Sequence, residues 1–260
     1  MRSSIGANLD WRSQGPDVHE GLRIEHVRFR PLGQDGADDL RVYYRRAGVD
    51  AGWTWKAQVG TDGDTLLGAA NIHNEARFRQ EYFLEREIIE TPQGLARGIY
   101  YTFVGGALDL PVDARNTFTA VAAAQAFTGR NERLHLRGSY VHVLQPEWGL
   151  TAQLRTRWFH SSEPREFDYF SPRNFVQVTP TLQLRRRLNG WRYLVAGGLG
   201  AQKQTGGKWR PARTVTAEIT SPPALQGWSL NGAFAYSNTP VGAGYTYDYR
   251  QFSLGLRRGF

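Results

Sequence analysis

The sequence has no cysteine, a single methionine and no apolar run long enough for a membrane-spanning helix. Without thiols there is no disulfide framework, no thiolate zinc site, no iron–sulfur cluster and no cysteine nucleophile. The opening MRSSIGANLDW also lacks the apolar core of a signal peptide, so an exported form is expected to be a mature chain or an excised domain. Acidic residues are in the minority, with 24 Asp and Glu against 32 Lys and Arg, for a formal net charge of +8. No Walker loop or phosphate-cradling glycine pattern occurs. The six histidines (His19, His26, His73, His135, His142 and His160) show no metal-ligand spacing. No cofactor, no metal and no enzymatic activity are expected.

What is abundant is aromatic. There are 8 Trp, 12 Tyr and 13 Phe, 13% of the 260 residues, with 29 Gly, in a chain whose mean hydropathy is only -0.51. A transmembrane β-barrel reconciles these numbers. Only every second residue of each strand faces lipid, the others face a wet interior, and aromatic belts mark the membrane interfaces.

Period-two alternation runs along most of the chain. Trp191, Tyr193, Val195, Gly197, Leu199 and Ala201 fall on one side of a strand, with Arg192, Leu194, Ala196, Gly198 and Gly200 on the other. Just before it, Val176, Val178, Pro180, Leu182 and Leu184 alternate with Gln177, Thr179, Thr181, Gln183 and Arg185. Asn189-Gly190 joins the two runs and suits a type I′ hairpin turn. Leu150 to Trp158 and Trp228 to Tyr236 repeat the pattern, as do weaker stretches such as Leu40/Val42/Tyr44, Trp53 to Val59, Ile99/Tyr101/Phe103 and Phe118 to Ala124. Residues 75–90 carry charges that would suit a helix, but the even spacing of Phe78, Tyr82, Leu84 and Ile88 predicts a strand.

The pattern yields about 15 strands, each near the ~10 residues that cross a bilayer at a tilt. Single-chain bacterial barrels have even strand numbers, so the expected fold is a single all-β domain over residues 1–260, a closed antiparallel transmembrane barrel of 16 strands, with 14 as the alternative. Long connections alternate with short ones, which places the C-terminus in the periplasm.

The final stretch, Tyr249 to Phe260, ends in phenylalanine with Phe252, Leu254 and Leu256 on one parity. It resembles the C-terminal signature of bacterial outer-membrane proteins, which the barrel-assembly machinery reads, and departs from it at Arg258. From Phe167 onward, FDYFSPRNF, an Arg-rich strand, Asn-Gly, WRYLVAGGLGAQKQ and a Tyr-rich loop and strand resemble the C-terminal barrels of exopolysaccharide export porins. These are the outer-membrane subunits of bacterial cellulose secretion and their poly-N-acetylglucosamine relatives. The resemblance implies a pore for a growing polysaccharide, an outer-membrane location with lipid as partner, and a periplasmic tetratricopeptide scaffold as a further partner, although no helical repeat is present in this chain. The rival functions are a general diffusion or protein-secretion barrel, and a plugged structural or adhesive barrel.

If the Trp191/Leu182/Trp228 side meets lipid, the opposite parity lines the pore with Arg155, Arg157, Arg185, Arg187, Arg192 and Arg257. Arg133, Arg137, Arg77, Arg79 and Lys56 belong to the same lining, set against Glu81, Glu85, Glu87 and Glu218. Such a wall concentrates anions. Its alternative role is a structural lattice, each Arg paired with a lumenal Glu. Tyr169, Phe170 and Tyr245 are placed in loops, where their rings can stack on sugar faces at the exit or anchor the interface. His160 and Ser161 point to opposite sides of their strand and cannot act as base and nucleophile. The basic residues are scattered across many strands, which argues against nucleic acid as a partner.

Overall fold

The computed structural model describes all residues except 1, 15–16, 31–35, 223–226, 241–247 and 259–260, so Tyr245 and Phe260 lie outside the described residues. Nearly everything else is strand. In chain order the strands are β1 (Arg2–Ser13), β2 (His19–Phe29), β3 (Ala37–Asp50), β4 (Trp53–Thr61), β5 (Leu66–Asn74), β6 (Gln80–Ile88) and β7 (Tyr100–Pro111). They continue as β8 (Asn116–Phe127), β9 (Glu132–Gln145), β10 (Leu150–Ser161), β11 (Asn174–Leu188) and β12 (Trp191–Gln204). The last three are β13 (Arg210–Thr220), β14 (Trp228–Ser237) and β15 (Tyr249–Arg258). Each pairs with its neighbours in sequence, giving one up-and-down antiparallel sheet.

Among the described residues there are 15 strands, the number the alternation yields, where the even-number rule for single-chain barrels led to 16 or 14. Among the described residues the strand order begins at β1 and ends at β15, with no pairing that joins them.

Turn chemistry sets the registers. Asn189 (φ 50°) and Gly190 (φ 79°) make the expected two-residue turn, and β11 and β12 pair from Leu188 opposite Trp191 to Phe175 opposite Gln204. Ala51 (φ 47°) and Gly52 (φ 82°) do the same for β3 and β4. Of residues 75–90, expected as a strand from their even spacing, 80–88 form β6, while 75–79, Phe78 among them, belong to the β5–β6 connection. The helix of the described residues, α1 (Pro92–Arg97), was not anticipated. Thr91 caps it by accepting from the Gly94 amide, Pro92 opens it, and Gly98 at φ 62° ends it.

Contacts group the chain into two compact units. The first comprises Met1–Leu110, Val121–Leu136 and His160–Ser171, and the second comprises Pro111–Ala120, Arg137–Phe159 and Pro172–Phe260. Both reverse the polarity of a water-soluble sheet. In the first, Ile24, Val42, Leu84 and Val104 are exposed while Glu25, Arg41 and His135 are buried. In the second, Leu182 is 58% exposed and its chain neighbour Thr181 only 4%, and Val195 and Leu199 are exposed while Gln177, Thr179 and Gln202 are buried. Strands such as β3, β11 and β12 therefore present an apolar side to the surroundings and a polar side that is in part buried against other protein groups.

Candidate functional site

On the polar side of the first unit the arginines meet carboxylates. Arg41 is buried, and its guanidinium stands 2.6 Å from Asp39, 3.4 Å from Glu87 and 3.4 Å from Glu90. Arg45 forks onto both oxygens of Asp10 at 3.1 and 2.9 Å. Arg23 meets Glu25 at 2.7 Å, Arg79 meets Glu81 at 3.1 Å, and Lys56 meets Asp17 at 3.1 Å. Tyr43 of β3 donates its hydroxyl to Glu87 of β6 at 3.0 Å, across two intervening strands. Gly60 makes this reach feasible. It pairs with Tyr43 on one side and Leu67 on the other, and a Cβ there would stand 2.6 Å from the Tyr43 ring.

β7 turns aromatic groups toward this polar side. Glu87 pairs with Tyr101 and Glu85 with Phe103, so Tyr101 and Phe103 lie with the carboxylates and Val104 takes the exposed side. The Tyr101 hydroxyl donates to Glu85, and Phe103 stacks on Phe83 at 5.3 Å. Arg77 and Arg79 both lie in the β5–β6 connection, Arg77 with its guanidinium 5.5 Å from the Phe78 ring, and so neither is a strand residue of the lining.

The β10–β11 connection folds back onto the same unit. Tyr169, assigned by sequence to an exit loop, is 4% exposed and stacks on Phe127 with ring centres 4.4 Å apart, in a core with Ile89 and Ile99. Its face is already occupied, and its hydroxyl accepts from Asn131 Nδ2 at 2.8 Å. Burial pushes the Tyr169 phenol above its usual pKa. Arg133 donates to Ser161 Oγ at 3.2 Å and to the Phe170 carbonyl at 2.6 Å, tying the start of the connection to its end. Asp168 accepts from Thr91 Oγ1 at 2.5 Å and from the Gln93 amide at 2.9 Å, clamping α1. Glu166 accepts from the Arg130 and Asn131 amides at 2.7 and 2.9 Å. Asp62, in the β4–β5 turn, is held below the usual carboxylate range. Burial acts against its ionisation, but bonds from the Thr65 amide, the Tyr100 hydroxyl and the Asp64 amide outweigh it.

The second unit is built differently. It carries 16 Lys and Arg against 4 Asp and Glu, whereas the first carries 16 against 20. Arg155 of β10 donates through Nε to Gln153 Oε1 at 2.9 Å and through its NH2 group to Gln183 Oε1 at 3.3 Å. Gln153 is itself held by Thr151 at 3.1 Å. Arg157 lies over the Phe159 and Phe175 rings, 5.4 and 5.9 Å from their centres. On β11 the polar side reads Gln177, Thr179, Thr181, Gln183, Arg185, Arg187, and Arg187 pairs directly with Arg192 of β12. Arg185, Arg187 and Arg192 are exposed. A Cβ on Gly198 would stand 2.7 Å from Thr179, Thr181 and Thr214 alike, so glycine allows this threonine cluster to close. Glu218 pairs with Leu194 and Ala233, and Arg257 pairs with Ser229.

Phe252, Leu254 and Leu256 are all strongly exposed and share the apolar side, opposite Phe234, Gly232 and Leu230. Sequence reasoning missed the clamping carboxylates Glu166 and Asp168 and the amide pair Gln153 and Gln183. The first two had no local signal. The amides were legible only as residues of the same parity as Arg155.

Among solved structures, the chain is similar to a bacterial polysaccharide outer membrane secretin. The likeness covers 98% of this chain and 94% of that one, with a TM-score of 0.62 and 13% sequence identity. At that identity it is a likeness of fold, a strand-rich all-β architecture. No family model matches the sequence, and no curated protein matches it.

Proposed function

We propose that the chain is an outer-membrane β-barrel through which a secreted polysaccharide leaves the cell, with the apolar sides of its strands against lipid and their polar sides turned inward, where exposed groups such as Arg185, Arg187 and Arg192 meet water. The observation that carries this reading is the reversed polarity of the strands, with Leu182 and Val195 exposed and Thr181 and Gln177 buried. Exposing so much apolar side chain to water is unfavourable, while a lipid surround makes it favourable. The fold likeness to a polysaccharide outer membrane secretin supports the same location and cargo class.

Tryptophan placement supports it as well. Trp11, Trp53, Trp55, Trp148, Trp191 and Trp228, six of the 8, flank connections that follow odd-numbered strands. Two of those connections are only two residues long, 51–52 and 189–190, while 89–99 and 162–173 follow even-numbered strands. A Trp-rich belt beside short turns suits the periplasmic interface, with the C-terminus on that side. In this reading Phe252, Leu254 and Leu256 present an apolar strand to the assembly machinery, and a periplasmic scaffold delivers the polymer.

A second reading, a plugged structural barrel, is favoured by one observation: Asp168, Glu166 and Tyr169 pin the β10–β11 connection against α1 and the β8–β9 turn. Purified full-length chain in planar bilayers separates the two. Discrete conductance that oligosaccharides block supports export, and a folded, inserted protein with no conductance supports the plug.

A further inference from the structure

We propose that the exported polymer is acidic, and that Arg155, Arg185, Arg187 and Arg192 form a ladder along which its anionic groups are passed. The proposal rests on the export reading and specifies the cargo class.

A structural lattice requires a counter-charge for each arginine. In the first unit Arg41 has Asp39, Glu87 and Glu90 as counter-charges, and Arg45 has Asp10. For four arginines of the second unit that requirement is not met. Arg155 is oriented through two of its donors by the amide oxygens of Gln153 and Gln183, which are neutral. The fork is aimed, yet its charge is uncancelled. Among the described residues no carboxylate lies within ion-pair distance of Arg155, Arg185, Arg187 or Arg192.

Arg187 and Arg192 are also directly opposite each other in the ladder. Like charges facing across an antiparallel pair repel, so this arrangement favours an anion between them. The four guanidiniums lie on the polar side, away from the apolar side that lipid would cover, which selects a water-borne anion over a lipid headgroup.

Along β11, Arg187 and Arg185 stand about 7 Å apart on one side and Gln183 follows, while Thr181, Thr179 and Gln177 beyond them are buried. The open part of the row, with Arg192 and Arg155 beside it, offers more than one site to an anion. Several weak sites in series let a polymer enter without being trapped. An arginine fork matches a sugar carboxylate in particular, because two parallel N–H donors meet its two oxygens.

The test uses the full-length protein in planar bilayers at low salt, with hexagalacturonate and maltohexaose as the acidic and neutral probes. The wild type is expected to be blocked by hexagalacturonate at about a tenfold lower concentration than by maltohexaose. That preference should shrink to near unity when Arg155, Arg185, Arg187 and Arg192 are all replaced by Gln, and by a smaller factor in the exposed pair Arg185→Gln/Arg187→Gln, which is expected to leave folding intact. Equal block of the wild type by both sugars overturns the acidic cargo while leaving export standing. A conducting channel that neither sugar blocks overturns the export reading itself, and the cargo proposal with it. A preference that survives in either folded variant removes these arginines as its source.

Discussion

Tyr169 stacks on Phe127 at 4.4 Å with ring planes only 12° apart, and this one contact turns a connection that reads as an exposed loop into part of the protein interior. The ring covers Phe127 while Asn131 donates to its hydroxyl, so apolar burial and polar satisfaction coincide. Replacing Tyr169 with Ala is expected to cost about 3 kcal/mol of local stability, and replacing it with Phe about 1 kcal/mol. Hydrogen exchange across residues 162–171 measures both. Unchanged exchange in Tyr169→Ala would show that the ring holds nothing in place.

Asp168 clamps α1 from 75 or more residues away in sequence. Asp168→Ala leaves the Gln93 amide and the Thr91 hydroxyl without their acceptor and should destabilise α1 by about 1–2 kcal/mol. The expected readout is faster amide exchange at residues 93–97 with the strands unaffected.

Asp62 supplies a pH dependence of definite sign. Its folded pKa lies below the ordinary value of 3.8, so its contribution to stability is fully present above about pH 4 and is lost as pH falls through the folded value. A carboxyl titration followed by NMR should give a midpoint below 3.8. Asp62→Asn should flatten the acid limb of the stability curve, and a midpoint at or above the ordinary value contradicts the hydrogen-bond assignment.

Arg41 and Arg155 are expected to respond oppositely to neutralisation. Arg41→Gln removes the counter-charge from three partly buried carboxylates, Asp39, Glu87 and Glu90, and should cost about 3 kcal/mol, with Arg41→Lys milder. Arg155→Gln removes a charge held only by neutral amides and should cost under about 1 kcal/mol. Urea unfolding of the detergent-folded protein compares them, and equal losses would erase the distinction between lattice and ladder.

Much of this was legible from period two alone. The β11–β12 register follows from Asn189-Gly190 and the alternation on either side, and that parity put Arg155, Arg185 and Arg192 on the side opposite Leu182 and Trp191. α1 escaped because a six-residue helix has no room for a helical period; its signals, Thr91-Pro92 and Gly98, are single residues. Tyr169 lies in a connection, where the sequence put it, but its burial was not legible because its partner Phe127 lies 42 positions earlier, a contact that local pattern does not encode. The alternation of Ile99, Tyr101 and Phe103 does not by itself say which side they take; Tyr101 and Phe103 sit among carboxylates because a hydroxyl and a stacked ring tolerate a polar side.

The central claim is that the two sides of each strand meet different solvents, and the absence of cysteine makes it directly measurable. Single cysteines at the adjacent positions Leu182 and Gln183, in full-length protein reconstituted into lipid bilayers, can be challenged with a charged, water-soluble thiol reagent. Leu182→Cys should be protected, and a probe attached there should be quenched by a lipid-dissolved quencher. Gln183→Cys should react rapidly and change the conductance. Equal reactivity at both positions, or reaction at Leu182→Cys alone, would contradict the account.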